Sequence, residues 1–340
     1  MSQKVKYIFL TIGITAIIVM FLTFDISLDE LCRDMKRTGF RMVAILGLWG
    51  GLYAMNTLAW RIIIRGSGDC PVSFLHLMRL TITGFALNYS TPVGLLGGEP
   101  YKVLAMTPHI GGQRATSSVV LFSMMHVFSH FWFWITSIFL YIIISPEIFL
   151  SPASYIVILP MTLFCLTGIY FFMKGYRNGM VIKLVSIIGR IPFCGKWAQS
   201  FYTAHSDELQ KIDRQIAELH GQNKRSFYLS FVLEYAGRVL QSIEIFLILT
   251  VFGREAGMLT FVHSFLILSF TSLFANLLFV FPLQLGGREG GFVMSTAQMG
   301  MTTEVGIFIS IVCRVRELFW AAIGMLFILK EHSRRQTGHE

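Results

Sequence analysis

Long apolar runs, each close to the length a bilayer demands, alternate with short polar and basic connections along most of this chain. Runs at 7–24, 42–64, 115–144, 155–173, 227–252 and 306–329 can each cross a hydrocarbon core that needs about 20 residues. They predict about six full spans in an all-α polytopic membrane protein. Two more stretches, about 74–106 and 259–299, are apolar but broken midway by proline and glycine. The first break runs from Asn88 through Thr91, Pro92 and Gly94 to Gly97, Gly98 and Glu99. The second runs from Asn276 through Pro282 to Gly286, Gly287, Arg288 and Glu289. Both keep the order Asn, Pro, Gly-Gly, Glu. Lipid cannot satisfy the hydrogen bonds of irregular backbone, so a break at membrane depth survives only where protein buries it or a cavity runs beside it. We therefore expect two broken re-entrant hairpins, and a matched pair of this kind in the two halves of a chain is a pointer to a transporter's binding site.

Composition agrees with the pattern. Hydrophobic residues make up 54% of the 340 and charged residues 14%, and the mean hydropathy is +0.63, which places 1–340 among integral membrane domains. The net charge of +9 raises nucleic acid as a partner. The basic residues are spread over short loops rather than gathered in an arm, so no nucleic acid is expected. Five cysteines, Cys32, Cys70, Cys165, Cys194 and Cys313, show no paired spacing, and neither a disulfide framework nor a metal site is indicated. Lys4 and Lys6 precede the first run, but no small-residue cleavage site follows it, so a retained first helix is expected.

The longest polar interval, 174–225, is too short for a separate catalytic domain of about 100–150 residues. Within it Phe201, Leu209, Ile212, Ile216 and Leu219 recur at helical steps, while Asp207, Lys211, Asp213, Arg214 and Glu218 fall elsewhere on the helix. This predicts an amphipathic helix at about 197–222, lying on the membrane surface or against the bundle. A solvated connecting helix is the plainer alternative.

Charge sets the expected orientation. Lys4, Lys6, Arg61, Arg65, Arg114, the 174–225 cluster, Lys330, Arg334 and Arg335 fall on one side if both broken segments return to their side of entry. By the positive-inside bias that side is the cytoplasm, with both termini on it. One connection dissents: Arg33, Lys36, Arg37 and Arg41 fall outside, partly offset by Asp29, Glu30 and Asp34. The sequence span, broken hairpin, span then occurs twice with opposite sense, as a first repeat at about 41–145 and a second at about 225–330, which is the inverted repeat of secondary transporters.

Ionisable residues inside such runs each need a reason, because one at the bilayer centre costs about 2.5–3.5 kcal/mol on insertion scales. Glu99 and Lys102 follow the first break, and Arg288 and Glu289 the second. Glu234 and Arg238 are four apart and Arg314 and Glu317 three apart, so each pair shares a helix face. These last two pairs read equally as internal ties between helices or as coupling charges. Arg288 and Glu289 stand where Gly286 and Gly287 expose backbone N–H groups and a helix N-terminus favours an anion. Arginine's planar fork suits a phosphate, with Lys102 and Arg314 as partners and Glu99 as counter-ion or proton carrier. Gly97 and Gly98 have the same place in the first break. Asn88 and Asn276 are better read as caps than as headgroup ligands. His126 and His130 have helical spacing, but His-Val-Phe-Ser-His lacks the glutamate of a zinc protease motif, so a polar helix face is the reading. Trp132 and Trp134 with Phe128, Phe131 and Phe133 read as a packing and interface belt rather than a cofactor box.

Through Asn88, Thr91-Pro92, Gly97-Gly98-Glu99, Pro282, Gly286-Gly287-Arg288-Glu289-Gly290 and the intervening amphipathic helix, nearly the whole chain resembles the lysylphosphatidylglycerol synthase transmembrane region, or flippase-like domain. The resemblance implies a bacterial inner-membrane protein that moves a lipid, such as an aminoacylated phospholipid or a polyprenyl-linked intermediate, supplied by a partner enzyme. The first motif lacks the arginine common at this place in the family. No aminoacyl-transferase domain follows the last span, so lipid aminoacylation by this chain itself is not expected. No Walker A sequence is present, and no cofactor is expected. The sequence thus reads as a lipid translocase. A lipid-modifying enzyme using Glu99 or Glu289 as base, and a non-transporting assembly factor, are the competing classes.

Overall fold

The computed structural model describes residues 36–90, 97–145, 152–177, 224–277 and 287–336, with isolated positions between 182 and 214. Among the described residues every regular element is helical, as the spacing of the apolar runs requires. The main helices are α1 (Phe40–Gly66), α2 (Phe74–Ser90), α3 (Gly98–Ile110), α4 (Gly112–Ile144), α5 (Pro152–Arg177), α6 (Lys224–Val251), α7 (Met258–Leu277), α8 (Gly287–Gln298) and α9 (Thr303–Gln336).

Three helices are long and apolar enough to cross a membrane by length and composition: Phe40–Gly66, Gly112–Ile144 and Met258–Asn276. The first two are expected spans. The third is a departure, since residues 259–277 are the first limb of an expected re-entrant hairpin. Its 20 residues have a length of about 30 Å at 1.5 Å per residue, the thickness of a hydrocarbon core. The runs expected at 227–252 and 306–329 form α6 and α9, and both carry several charges in mid-helix. The 7–24 run, Gly286, Pro92 and Pro282 lie outside the described residues. So does most of the amphipathic helix expected at 197–222; of its isolated positions, Leu209 and Asp213 are both buried, and Asp213 accepts the Ile182 N–H at 3.0 Å.

Helix contacts repeat between the two halves. α1 packs most extensively on α6 and α2 on α9, and α7 also packs on α4. The succession α1–α2, α2–α3, α3–α4 is matched by α6–α7, α7–α8, α8–α9. Exchanging α1 with α6, α2 with α7, α3 with α8 and α4 with α9 therefore maps the contacts of one half onto the other. The central pair crosses antiparallel: Trp49 Nε1 donates to Glu244 at 2.9 Å, while further along α1 the Oδ1 of Asn56 approaches Gly237, earlier on α6. Two equivalent helices that cross antiparallel place their halves in opposite senses, the relation expected of inverted repeats.

Two apolar clusters hold the helices. One gathers Trp60, Leu77, Leu87, Met106, Met125 and Ala321, the other Ile45, Phe133, Ile245, Phe265, Phe292 and Ile309. Each joins helices of both halves, so neither repeat has a core of its own.

Candidate functional site

The first break is closed from within. Asn88, near the end of α2, accepts the Gly98 N–H through Oδ1 at 2.7 Å, so it caps α3 across the break, satisfying a donor that a helix start leaves open. A Cβ on Gly98 would stand 2.2 Å from the Gly84 carbonyl oxygen. Gly98 therefore permits α3 to touch the α2 backbone, and its N–H is not offered to a ligand. Lys102 Nζ donates to Glu99 at 3.1 Å, the pair the three-residue spacing implies. Lys102 is 4% exposed and its ammonium faces the rings of Phe122 and Trp60, at 5.1 and 5.7 Å. Glu99 Oε2 is buried without a hydrogen-bond partner. Gly97, also buried, precedes the helix.

The second break opens on a larger charge network, laid across α8 and α9 rather than along either. Arg288, in the first turn of α8, pairs with Glu317 of α9. Arg314 of α9 donates through Nη2 to Glu289 at 2.7 Å and through Nη1 to Glu317 at 3.4 Å. The pairs are crossed: Arg288 and Glu289, adjacent in sequence, do not bond each other, because neighbours on a helix point about 100° apart. Arg314 also hydrogen-bonds Tyr89 of α2. Asn276 donates back to Ser272 O at 2.7 Å within α7, so it does not repeat the capping role of Asn88 in that contact.

Sequence reasoning missed the inner half of this network. Arg316, 1% exposed, holds Glu244 of α6 by two bonds of 3.0 Å, and its guanidinium lies 3.6 Å over the Trp49 ring. Arg316 Nη1 also reaches Glu317 at 3.4 Å. The signal was present, since a glutamate midway along an apolar run needs a partner. What hid it is that Arg316 sits on another side of α9 from Arg314. Helix spacing shows who shares a face, not who waits on the next helix. Three arginines and three glutamates, Arg288, Arg314, Arg316, Glu244, Glu289 and Glu317, thus balance formally. The outer members are the open ones: the side chains of Arg288 and Glu289 are 19% and 27% exposed, against 7% for Arg314.

Glu234 and Arg238 do not form the hydrogen-bonded pair their spacing suggests. Glu234 meets His126 Nδ1 at 2.9 Å, and Arg238 donates to Ser129 Oγ at 2.6 Å and to the His126 carbonyl at 2.9 Å. No group of three metal-ligating side chains occurs among the described residues. Trp134 is buried and donates to Ser272, the packing part of the expected belt, whereas Trp132 is exposed.

Long apolar helices in two antiparallel halves, with charges sealed where the halves meet, define a polytopic integral membrane protein with an internal polar site. The chain belongs to the family described as the lysylphosphatidylglycerol synthase TM region, which matches residues 8–324. Comparison with curated proteins and with solved structures gave no match.

Proposed function

We infer that the chain is a lipid translocase of the bacterial inner membrane, with the Arg288 network as its headgroup site. The observation that carries the reading is the crossed set of ion pairs at the start of α8, half open on one side and balanced in charge. Removing one partner of a buried pair costs about 3–5 kcal/mol, so a charged headgroup enters only by exchange. Its phosphate takes the place of Glu317 or Glu289 on the forks of Arg288 and Arg314, a geometry that guanidinium groups favour. A headgroup that also bears an amine, as the lysyl lipid of the family's name does, would return a cation to Glu289. Polyprenyl phosphates satisfy the arginines alone. Two halves in opposite senses supply the rocking by which such a site faces either leaflet in turn. An enzyme upstream would make the lipid, and both termini would lie in the cytoplasm.

Lipids retained through gentle purification, identified by mass spectrometry, test the site. A specific phospholipid is expected on the wild type and absent from Arg288→Ala, while identical bulk-lipid profiles on the two would remove the site. Glu99 favours a second reading, since a buried carboxylate oxygen without a partner suits a general base acting on a lipid. Incubation with isotopically labelled lipid separates the two: an unchanged mass in a new leaflet is transport, and a changed mass is catalysis.

A further inference from the structure

A second ionisable cluster lies apart from the arginine network, where α4 crosses α6. His126 and His130 stand four apart on α4, and Glu234 and Arg238 four apart on α6. Glu234 is 2% exposed, and one of its oxygens, Oε1, has no hydrogen-bond partner. The other faces His126 Nδ1 at 2.9 Å. The His126 side chain is 45% exposed. A sealed carboxylate with an open lone pair is therefore joined by one hydrogen bond to an imidazole that reaches out of the bundle. His130 Nδ1 is buried and without a partner beside them, with its ring 5.5 Å from that of His126.

The cluster occupies the place in one half that the inner arginine occupies in the other. Exchange of the halves turns the α6–α4 crossing into the α1–α9 crossing. There Trp49 and Tyr53, four apart, meet Arg316 and Trp320, four apart, at 3.6 and 5.0 Å. One crossing thus holds a permanent cation on an aromatic face. Its counterpart holds groups that gain and lose a proton.

We propose that His126 and Glu234 form a proton-binding site that couples proton movement to lipid translocation. A nitrogen and a carboxylate oxygen 2.9 Å apart need a hydrogen between them. With that hydrogen on Nδ1, His126 is neutral, and Glu234 and Arg238 balance one another. A proton arriving at the outward Nε2 makes an imidazolium, and the Nδ1 proton then passes to Glu234 Oε2. This leaves an imidazole protonated at Nε2 and a neutral carboxylic acid, with one proton taken up and held. Reversal of both transfers releases it. The ionisable groups facing the pair are His130 of α4 and Arg238 of α6. Arg238 is fixed on Ser129 and the His126 carbonyl. On α1, Asn56 lies 3.9 Å from where Gly237 would carry a Cβ. Among the described residues no ionisable side chain of α1, α7 or α9 bonds the pair. The proposal depends on the transport reading only for what the proton drives.

Two measurements on the purified full chain test it. The first is infrared difference spectroscopy through a pH titration in vesicles of phosphatidylglycerol and phosphatidylethanolamine. A protonated-carboxyl band is expected in the wild type, absent from Glu234→Gln and moved along the pH axis in His126→Asn. Coincident spectra of wild type and Glu234→Gln would overturn the site. The second is the distribution of labelled phosphatidylglycerol between leaflets under a pH gradient. With one proton per lipid, a gradient of about one unit sustains an imbalance of up to about tenfold. Glu234→Gln should hold no imbalance under the gradient. Equal imbalance in both proteins would overturn the coupling. Absence of any leaflet exchange by the wild type would instead remove the transport reading, and the carboxyl band alone would then decide the site.

Discussion

Glu317 is the hub of the arginine network, touching Arg288, Arg314 and Arg316, whereas Arg288 pairs with Glu317 and has a side chain 19% exposed. The two ends of this bond are therefore unequal. Glu317→Gln leaves three arginines over two glutamates in a buried site and is expected to destabilise by about 3–5 kcal/mol. Arg288→Ala removes the more open charge, while Glu317 keeps two cations, so a smaller loss of thermal stability in detergent is expected. The double variant should fall short of the sum of the two losses, since residues sharing a bond do not act independently. Additive losses would show that Arg288 and Glu317 do not interact. At this scale the sequence disclosed pairs within a helix, Glu99 with Lys102 and Arg314 with Glu317. It could not disclose pairs between helices: Arg288 with Glu317, Glu289 with Arg314, or Glu234 with His126. Helical periodicity records a residue's face, and a partner on another helix is fixed only by how the helices pack.

Among the elements, α3 shows what a break needs. Its start is tied by the Asn88 cap, and its approach to α2 requires that Gly98 carry no side chain, since a Cβ there would stand 2.2 Å from the Gly84 carbonyl oxygen, whereas a Cβ on Gly84 would displace the Lys102 side chain. Gly98→Ala forces backbone against backbone, and overpacking of this kind costs about 1–3 kcal/mol or more. Gly290→Ala in α8, where a Cβ would meet nothing within 4 Å, is the matched control. Melting of the purified variants should show a clear loss for the first and near wild-type behaviour for the second. Equal melting would mean that α3 shifts to make room. The position of this break was legible from Pro92 and the glycine pair, because proline removes a helix donor and glycine is a weak helix former. The extent of α7 was not, because its apolar limb reads alike as half a hairpin or as a crossing helix until its end is seen. The long helices α6 and α9 were legible as apolar runs despite their mid-helix charges, and burial against oppositely charged neighbours is what lets those charges stand there.

At the scale of the molecule, the contacts sort the chain ends into two groups and bear on orientation. Arg37 pairs with Glu304 at 2.9 Å, and its guanidinium lies 4.1 Å over Phe252 and 5.4 Å from the Phe308 ring. The starts of α1 and α9 and the end of α6 thus share one end of the bundle. At the other end, Arg114 donates to the carbonyls of Ile64 and Asp69, joining the end of α1 to the start of α4. The dissenting basic connection before α1 acquires a local reason here, since Arg37 is partnered by a carboxylate and covered by rings. On the proposed orientation Arg61, Arg65, Arg114, Lys330, Arg334 and Arg335 mark the cytoplasmic side. With the native cysteines replaced, a cysteine at Ser151 should react with an impermeant thiol reagent outside intact cells, and one at Ser333 should react only after the membrane is opened. Cysteines placed at Asn56 and Gly237 should cross-link, because α1 and α6 meet there. The two results separate the fold from its placement: a cross-link with Ser333 labelled from outside would keep the antiparallel halves and turn the whole molecule over, whereas no cross-link would dissolve the central helix pair on which the repeat relation depends.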